Sequence, residues 1–110
     1  MYETAEKKER VILVGVSLAD SDDAEQSLNE LEELADTAGA LCVGRILQKR
    51  EQMHPATYLG RGKTEELKDL IWETRADGII CDDELSPSQI GNLRDELDVK
   101  IMDRTLLILD

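Results

Sequence analysis

The residues Gly62, Lys63 and Thr64 are the first whose types and spacing suggest a chemistry. A Gly-Lys-Thr triplet ends the phosphate-binding loop of many nucleotide-hydrolysing enzymes, in which backbone N–H groups and the lysine hold phosphate oxygens. That motif requires another glycine five residues before Gly62, and the sequence has Thr57 there. The preceding segment also does not read as a strand that runs directly into the loop. The phosphate-loop interpretation therefore fails.

A weaker nucleotide-binding alternative stays open at the same place. Gly60, Gly62 and Lys63 precede or begin a predicted helix, and glycines there let backbone N–H groups approach a phosphate closely. Ordinary turn and cap glycines produce the same pattern. The sequence does not decide between these two explanations.

Basic residues are concentrated in this region although the chain as a whole is acidic, with a formal net charge of -12. Residues 45–63 contain five Lys or Arg and one Glu, whereas residues 20–36 contain eight acids and no base. Such a segment offers donors for phosphate and a tyrosine ring for stacking on an exposed base. We therefore predict a local RNA contact through five residues, which are Lys49, Arg50, Tyr58, Arg61 and Lys63.

Other chemistry-bearing side chains give weaker signals. His54 has no nucleophile or carboxylate at a useful spacing, so we predict no general base there. The acids at 82–84 could hold Mg²⁺, but three acids before a helix more often stay solvated and stabilise its dipole. We predict no metal site, and we expect Cys42 and Cys81, which lie in apolar runs, to be buried reduced thiols.

Length and composition limit the class of protein. A chain of 110 residues forms one domain, and 41% hydrophobic residues without any Phe indicate an aliphatic core. The excess of 25 acids over 13 Lys and Arg argues against binding DNA with the whole surface. No apolar run approaches a membrane span of about 20 residues, and the N-terminal residues lack the apolar segment of a signal peptide. We expect a cytoplasmic protein.

Hydrophobic periodicity predicts an α/β fold of the order βαβαβαβ. The first strand, RVILVGV, is a continuous branched apolar run, which suits a strand covered on both faces of a parallel sheet. With right-handed crossovers and the most apolar strands at the centre, we predict a four-stranded, mostly parallel sheet in the order 2-1-3-4. The predicted strands are 10–16, 41–48, 79–82 and 99–102, and the helices are about 21–38, 63–75 and 86–97.

Local signals add detail to this fold. Ser86, Pro87 and Gln89 form a capping box with proline at the first helical position. Ser21 or Asp22 is expected to cap the first helix, whose acidic outer face has no predicted basic partner. Trp72 is expected to cover the rim of the core. We divide the chain into a flexible lead (1–9), the α/β domain (10–105) and the start of a truncated following segment (106–110).

Several segments in order resemble the N-terminal domain of the HflX family of GTPases. They are RVILVGVSL, LNELEELADTAGA, GRILQKR, PATYLGRGK, DDELSPSQ and VKIMDRTLLILD, and the resemblance spans roughly residues 10–110. It implies a ribosome-associated GTPase whose N-terminal domain engages the rRNA of the 50S subunit, some members separating 70S ribosomes. It also implies downstream helical and G domains that bind GTP and Mg²⁺ and lie outside this sequence.

The resulting prediction is a non-catalytic, ribosome- and RNA-binding module without a cofactor of its own. Two alternatives remain. The first is a small ATP- or GTP-binding domain that uses Gly60, Gly62 and Lys63. The second is an intramolecular regulator, in which the acidic first helix or the apolar tail from Leu106 packs against the G domain of the same protein.

Overall fold

The fold is a four-stranded parallel sheet with helices on both faces. A computed structural model of the chain describes residues 8–18, 23–50 and 55–109. The strands follow the order β2-β1-β3-β4, and each pair of neighbours is parallel. This confirms the predicted fold class and strand order. The elements are β1 (Glu9–Leu18), α1 (Ala24–Thr37), β2 (Ala40–Arg50), α2 (Arg61–Thr74), β3 (Gly78–Cys81), α3 (Pro87–Leu97), β4 (Lys100–Asp103) and α4 (Arg104–Leu109).

The central strand β1 is apolar throughout because both of its faces are covered. Successive side chains of a strand point to opposite faces, so Ile12 and Val14 join the hydrophobic cluster that includes Leu67 of α2 and Leu93 of α3. Val11 and Leu13 join a second cluster with residues of α1. The continuous apolar run in the sequence therefore serves two cores rather than one.

The helices begin and end close to the predicted positions, with physical reasons for the differences. The Ser86 hydroxyl accepts the Gln89 N–H and the Gln89 side chain accepts the Ser86 N–H, which confirms the capping box of α3. Gly39 follows α1 with a φ of 92°, a conformation that glycine adopts readily. Ser21 and Asp22 lie outside the described residues. Asp23 occupies the N-cap of α1 and makes no side-chain cap bond.

Trp72 does not cover the rim of the core, and this prediction was wrong. Its side chain is 85% exposed. The inner stripe of α2 contains Leu67, Leu70 and Ile71, and the helical period of 3.6 residues turns Trp72 away from it. Cys42 is only half-buried, because it lies on the edge strand β2, whereas Cys81 is buried as predicted.

The first and last elements of the described chain are β1 and α4. Residues 1–7 of the predicted lead lie outside the described residues, and β1 already begins at Glu9. The apolar segment from Leu106 lies within α4. In that helix Leu107 packs against the second hydrophobic cluster, while Leu106 is 45% exposed. Among the described helices, none has the length and apolar character needed to cross a membrane.

Candidate nucleic-acid interface

The end of β2 and the start of α2 meet at the carboxyl edge of the sheet. The Gly60 N–H donates to the Gln48 Oε1 at 2.9 Å, and Gly60 is the N-cap of α2. Lys49 follows Gln48 in the sequence, and Arg61 follows Gly60. One hydrogen bond therefore joins the end of β2 to the start of α2, twelve positions apart along the chain, although Lys49 alternates with Gln48 along the strand and faces the side of the sheet opposite to α2.

The cations that lie close to this bond in sequence are called the basic edge, which consists of Lys49, Arg50, Arg61 and Lys63. Lys49 and Arg61 are exposed. The Lys63 Nζ lies 3.2 Å from Glu66 Oε1 in an exposed pair one helical turn along α2, an arrangement that contributes little and is readily exchanged for another anion. Arg50 ends β2, and its side chain lies outside the described part of the chain, as does His54.

Two of these cations belong to a helix rather than to a loop. The predicted helix begins at about residue 63, whereas α2 begins at Arg61. Gly60 has an extended conformation that suits an N-cap, and the Thr64 N–H and hydroxyl both bond to its carbonyl oxygen at 3.0 and 2.9 Å. The basic side chains of the first turn are thus held on a regular backbone.

Tyr58 does not offer an exposed ring, which corrects its predicted role in stacking. The side chain has no exposed surface, and its hydroxyl donates to the Asp83 Oδ2 at 2.5 Å. Burial first, and the bond to Asp83 second, raise the pKa of Tyr58 well above its ordinary value. Tyr58 anchors the loop beneath the basic edge and does not face a ligand in this conformation.

The nucleotide-binding alternative loses one of its donors in this geometry. The Gly60 N–H is already donated to Gln48 and so is not offered to a phosphate. Around Gly62 the space is open, since an added Cβ would meet no atom within 4 Å, so close packing does not explain this glycine. Whether the first turn of α2 binds a nucleotide phosphate stays a prediction.

Two of the three acids that follow β3, Asp82 and Asp83, are bonded to other side chains of the protein. The Arg104 guanidinium donates to the Asp82 Oδ1 at 2.6 and 3.0 Å, and it also donates to the Ser27 carbonyl oxygen at 3.0 Å. Asp83 accepts the Tyr58 hydroxyl, and only Glu84 of the three is exposed. Across the described ranges, no three His, Cys, Asp or Glu side chains cluster as metal ligands would.

Asp103 is a structural residue that the sequence reasoning missed. It is 2% exposed, and its two carboxylate oxygens accept the N–H groups of Leu85 and Leu106, each at 2.8 Å. The available signal was its position, since an aspartate directly before a helix is a favourable N-cap. Asp103 ties the loop before α3 to the start of α4.

The acidic outer face of α1 has a basic partner that was not predicted. The Arg45 guanidinium donates to Glu32 at 2.5 Å and to Asn29 at 3.0 Å. The partner comes from β2, which lies beside α1, so helix spacing alone does not reveal it. One cation of the predicted basic segment is therefore used internally and is not part of the basic edge.

Comparisons with known proteins agree with this architecture. The chain matches a family model described as "GTP-binding GTPase N-terminal" over residues 25–110. A GTPase HflX of Lacrimispora saccharolytica is 60% identical over 110 residues, a match that covers 100% of this chain and 26% of that protein. GTPase HflX of Escherichia coli is 33% identical, also over 100% of this chain and 26% of its own length.

A solved structure shows the same fold. The crystal structure of a GTP-binding protein from Sulfolobus solfataricus in complex with GDP has a TM-score of 0.66 and 20% identity over 91% of this chain and 29% of that one. At that identity the likeness concerns the fold alone. The chain spans about a quarter of the length of the curated relatives it matches. On the family match and these identities, the chain belongs to the HflX family of GTPases and is its N-terminal domain.

Proposed function

We propose that this domain is a non-catalytic RNA-binding module, through which an HflX-type GTPase contacts the rRNA of the 50S ribosomal subunit with its basic edge. The observation that carries the proposal is the Gln48–Gly60 hydrogen bond, which joins two basic segments at one edge of a sheet. In a chain of net charge -12, such a concentration of cations is local. The expected ligand is therefore a polyanion that touches this edge and avoids the acidic remainder.

The chemistry of the basic edge suits a phosphate backbone. Lys49 and Arg61 are exposed, and Lys63 has only the exposed Glu66 carboxylate as its described ion partner. Arg and Lys contacts to phosphates fix the position of a nucleic acid without reading its sequence. With Tyr58 buried, the edge offers no described aromatic ring for base stacking, so we propose backbone contacts rather than base recognition.

We propose that GTP and Mg²⁺ act outside this chain, in the remaining length of the protein that carries the domain. The Gly62-Lys63-Thr64 triplet lacks the first glycine of a phosphate loop, and the Gly60 N–H is engaged by Gln48. The residues present thus do not form the phosphate loop of a GTPase. The whole protein would hydrolyse GTP in the cytoplasm and use this domain to reach the ribosome. Some members of the HflX family would separate the ribosomal subunits.

The proposal is tested by reversing three charges of the basic edge in one variant, Lys49→Glu/Arg61→Glu/Lys63→Glu. Affinity for purified 50S subunits, measured by co-sedimentation, should fall on the order of 100-fold, because each lost charge-assisted contact costs about 1 kcal/mol or more. A matched control, Lys68→Glu/Arg94→Glu/Lys100→Glu, changes the net charge equally on α2, α3 and β4 away from the edge.

The control should lose much less affinity than the edge variant. If both variants lose affinity equally, the net charge of the chain matters and the basic edge does not. If neither binds more weakly than the unsubstituted chain, the proposed RNA contact is wrong. Calorimetry with ATP and GTP on the same samples separates the nucleotide alternative, which predicts heat of binding that is lost in the edge variant.

A further inference from the structure

Tyr58 occupies a backbone conformation that is costly for its residue type. Its φ is 69°, in the left-handed region, and its side chain has no exposed surface. A bulky residue other than glycine persists there only where the surrounding structure holds it, and such positions concentrate at binding and catalytic sites. The residue lies between the two halves of the basic edge in sequence, although its ring points into the core.

Contacts from two other elements hold the loop that contains Tyr58. The Tyr58 hydroxyl donates to the Oδ2 of Asp83, a residue of the loop that follows β3, at 2.5 Å. The Asn92 side-chain amide of α3 donates to the Ala56 carbonyl oxygen at 3.0 Å. The neighbouring Leu59 is also fully buried. The loop is therefore fastened to the protein at several points before it reaches α2.

These contacts lie directly before the first turn of α2, which contains Arg61 and Lys63. Directly after Leu59, the Gly60 N–H bonds to Gln48, and α2 begins. The path from the Tyr58–Asp83 bond to that N–H is two residues long. Without the bond, fewer contacts hold the segment that leads into the first turn of α2.

We propose that Tyr58 and Asp83 are positioning residues of the RNA site, which touch no RNA and preorganise the basic edge. This inference rests on the proposed function and adds the residues that set its affinity. A ligand binds with an apparent affinity reduced by the fraction of protein in the competent conformation. The Tyr58–Asp83 bond raises that fraction by holding the loop before binding, so less ordering is needed in the complex.

The test uses Tyr58→Phe, which removes the hydroxyl and keeps the buried ring. Affinity for purified 50S subunits should fall measurably, by up to about fivefold, the limit set by one lost hydrogen bond, because only the fall in the competent fraction weakens binding. The slope of log K against log salt concentration should stay unchanged, because that slope depends on the number of phosphate-bound cations and all of them remain. A residue in direct contact with RNA phosphate through a charge would change the slope.

Substitutions of Asp83 provide the matched set. Asp83→Ala should weaken binding as Tyr58→Phe does, whereas Asp83→Asn keeps a side-chain oxygen that accepts the hydroxyl and should restore most of the affinity. The double variant Tyr58→Phe/Asp83→Ala should bind as either single variant does, since both changes remove the same bond. Thermal unfolding identifies which variants fold, and the Asp83 pair decides the question should Tyr58→Phe not fold.

The outcomes separate this inference from the proposed function. Binding of Tyr58→Phe equal to that of the unsubstituted chain, with binding lost in the Lys49→Glu/Arg61→Glu/Lys63→Glu variant, would overturn the positioning role alone. Equal loss in Asp83→Asn and Asp83→Ala would also overturn it, because the acceptor oxygen would then be irrelevant. Unchanged binding in the charge-reversal variant would remove the proposed function itself.

Discussion

Two side chains with acidic hydrogens, the Cys81 thiol and the Tyr58 hydroxyl, are buried beside carboxylates at the end of β3. Burial, followed by the charges of Asp103 and Asp83, raises the pKa of Cys81 above its ordinary value of 9.0. Burial and the Asp83 bond raise that of Tyr58 above 10.0. Both groups are therefore neutral in the folded protein at pH values where the unfolded chain already ionises them.

These shifts predict a loss of stability in alkali. As pH rises, the unfolded state releases the Cys81 proton near its ordinary pKa of 9.0 and the Tyr58 proton near 10.0, while the folded state retains both. The free energy of unfolding should then fall by roughly 1.4 kcal/mol per pH unit for each group, and the full contribution is present below pH of about 9. Urea unfolding between about pH 8 and pH 11 measures it.

The variant Cys81→Ala is the control for this assignment. Without the thiol, the decline between about pH 9 and pH 10 should become shallower, and what remains there comes from the half-buried Cys42 thiol, whose pKa burial also raises above 9.0. An unfolding free energy that stays constant across this range would contradict the burial of both groups.

At the residue scale, the sequence shows which side chains are basic, but it does not show which of them are free of internal partners and able to contact a ligand. Lys49 and Arg61 are exposed as expected, whereas Arg45 is paired with Glu32 across two elements and Tyr58 is buried. Such pairings depend on the distance between elements that are remote in sequence. A basic and polar local composition around Tyr58 could not reveal a partner at Asp83.

At the scale of elements, α3 has the most complete local signal. Its first turn contains Ser86, Pro87 and Gln89 in the positions that a capping box requires, and all of the bonds form. This start was predictable because every interaction lies within four residues. The start of α2 was less so, because its N-cap Gly60 has no side chain and its fixing bond comes from Gln48 on another strand. Asp103 had a local signal, its position before α4, but its second bond, from the Leu85 N–H, comes from a segment remote in sequence.

The capping box predicts a specific loss of stability. Ser86→Ala removes the oxygen that accepts the Gln89 N–H and should lower the free energy of unfolding by about 1 kcal/mol. Ser88→Ala is the matched control, since Ser88 is exposed in the same turn. Its effect should lie within about 0.5 kcal/mol of zero. Urea denaturation compares the two, and equal losses would contradict a role for the cap bond.

At the scale of the whole molecule, the strand order and the two-sided core followed from the hydrophobic pattern. The apolar run of β1 indicates coverage on both faces, and right-handed crossovers leave few other topologies. What the pattern could not supply is the joining of basic segments at one edge, because that depends on a single side-chain bond between β2 and α2. The outer face of α1 is acidic and forms a surface region of opposite charge to the basic edge.

The salt dependence of binding to the 50S subunit tests the RNA contact most directly. For the unsubstituted chain, log K should fall linearly with log salt concentration, with a slope near that of about four phosphate contacts. In the Lys49→Glu/Arg61→Glu/Lys63→Glu variant the slope should become shallower by about two to three units, since each lost phosphate contact removes about 0.7–0.9. Parallel lines for the two proteins would contradict phosphate binding by the basic edge.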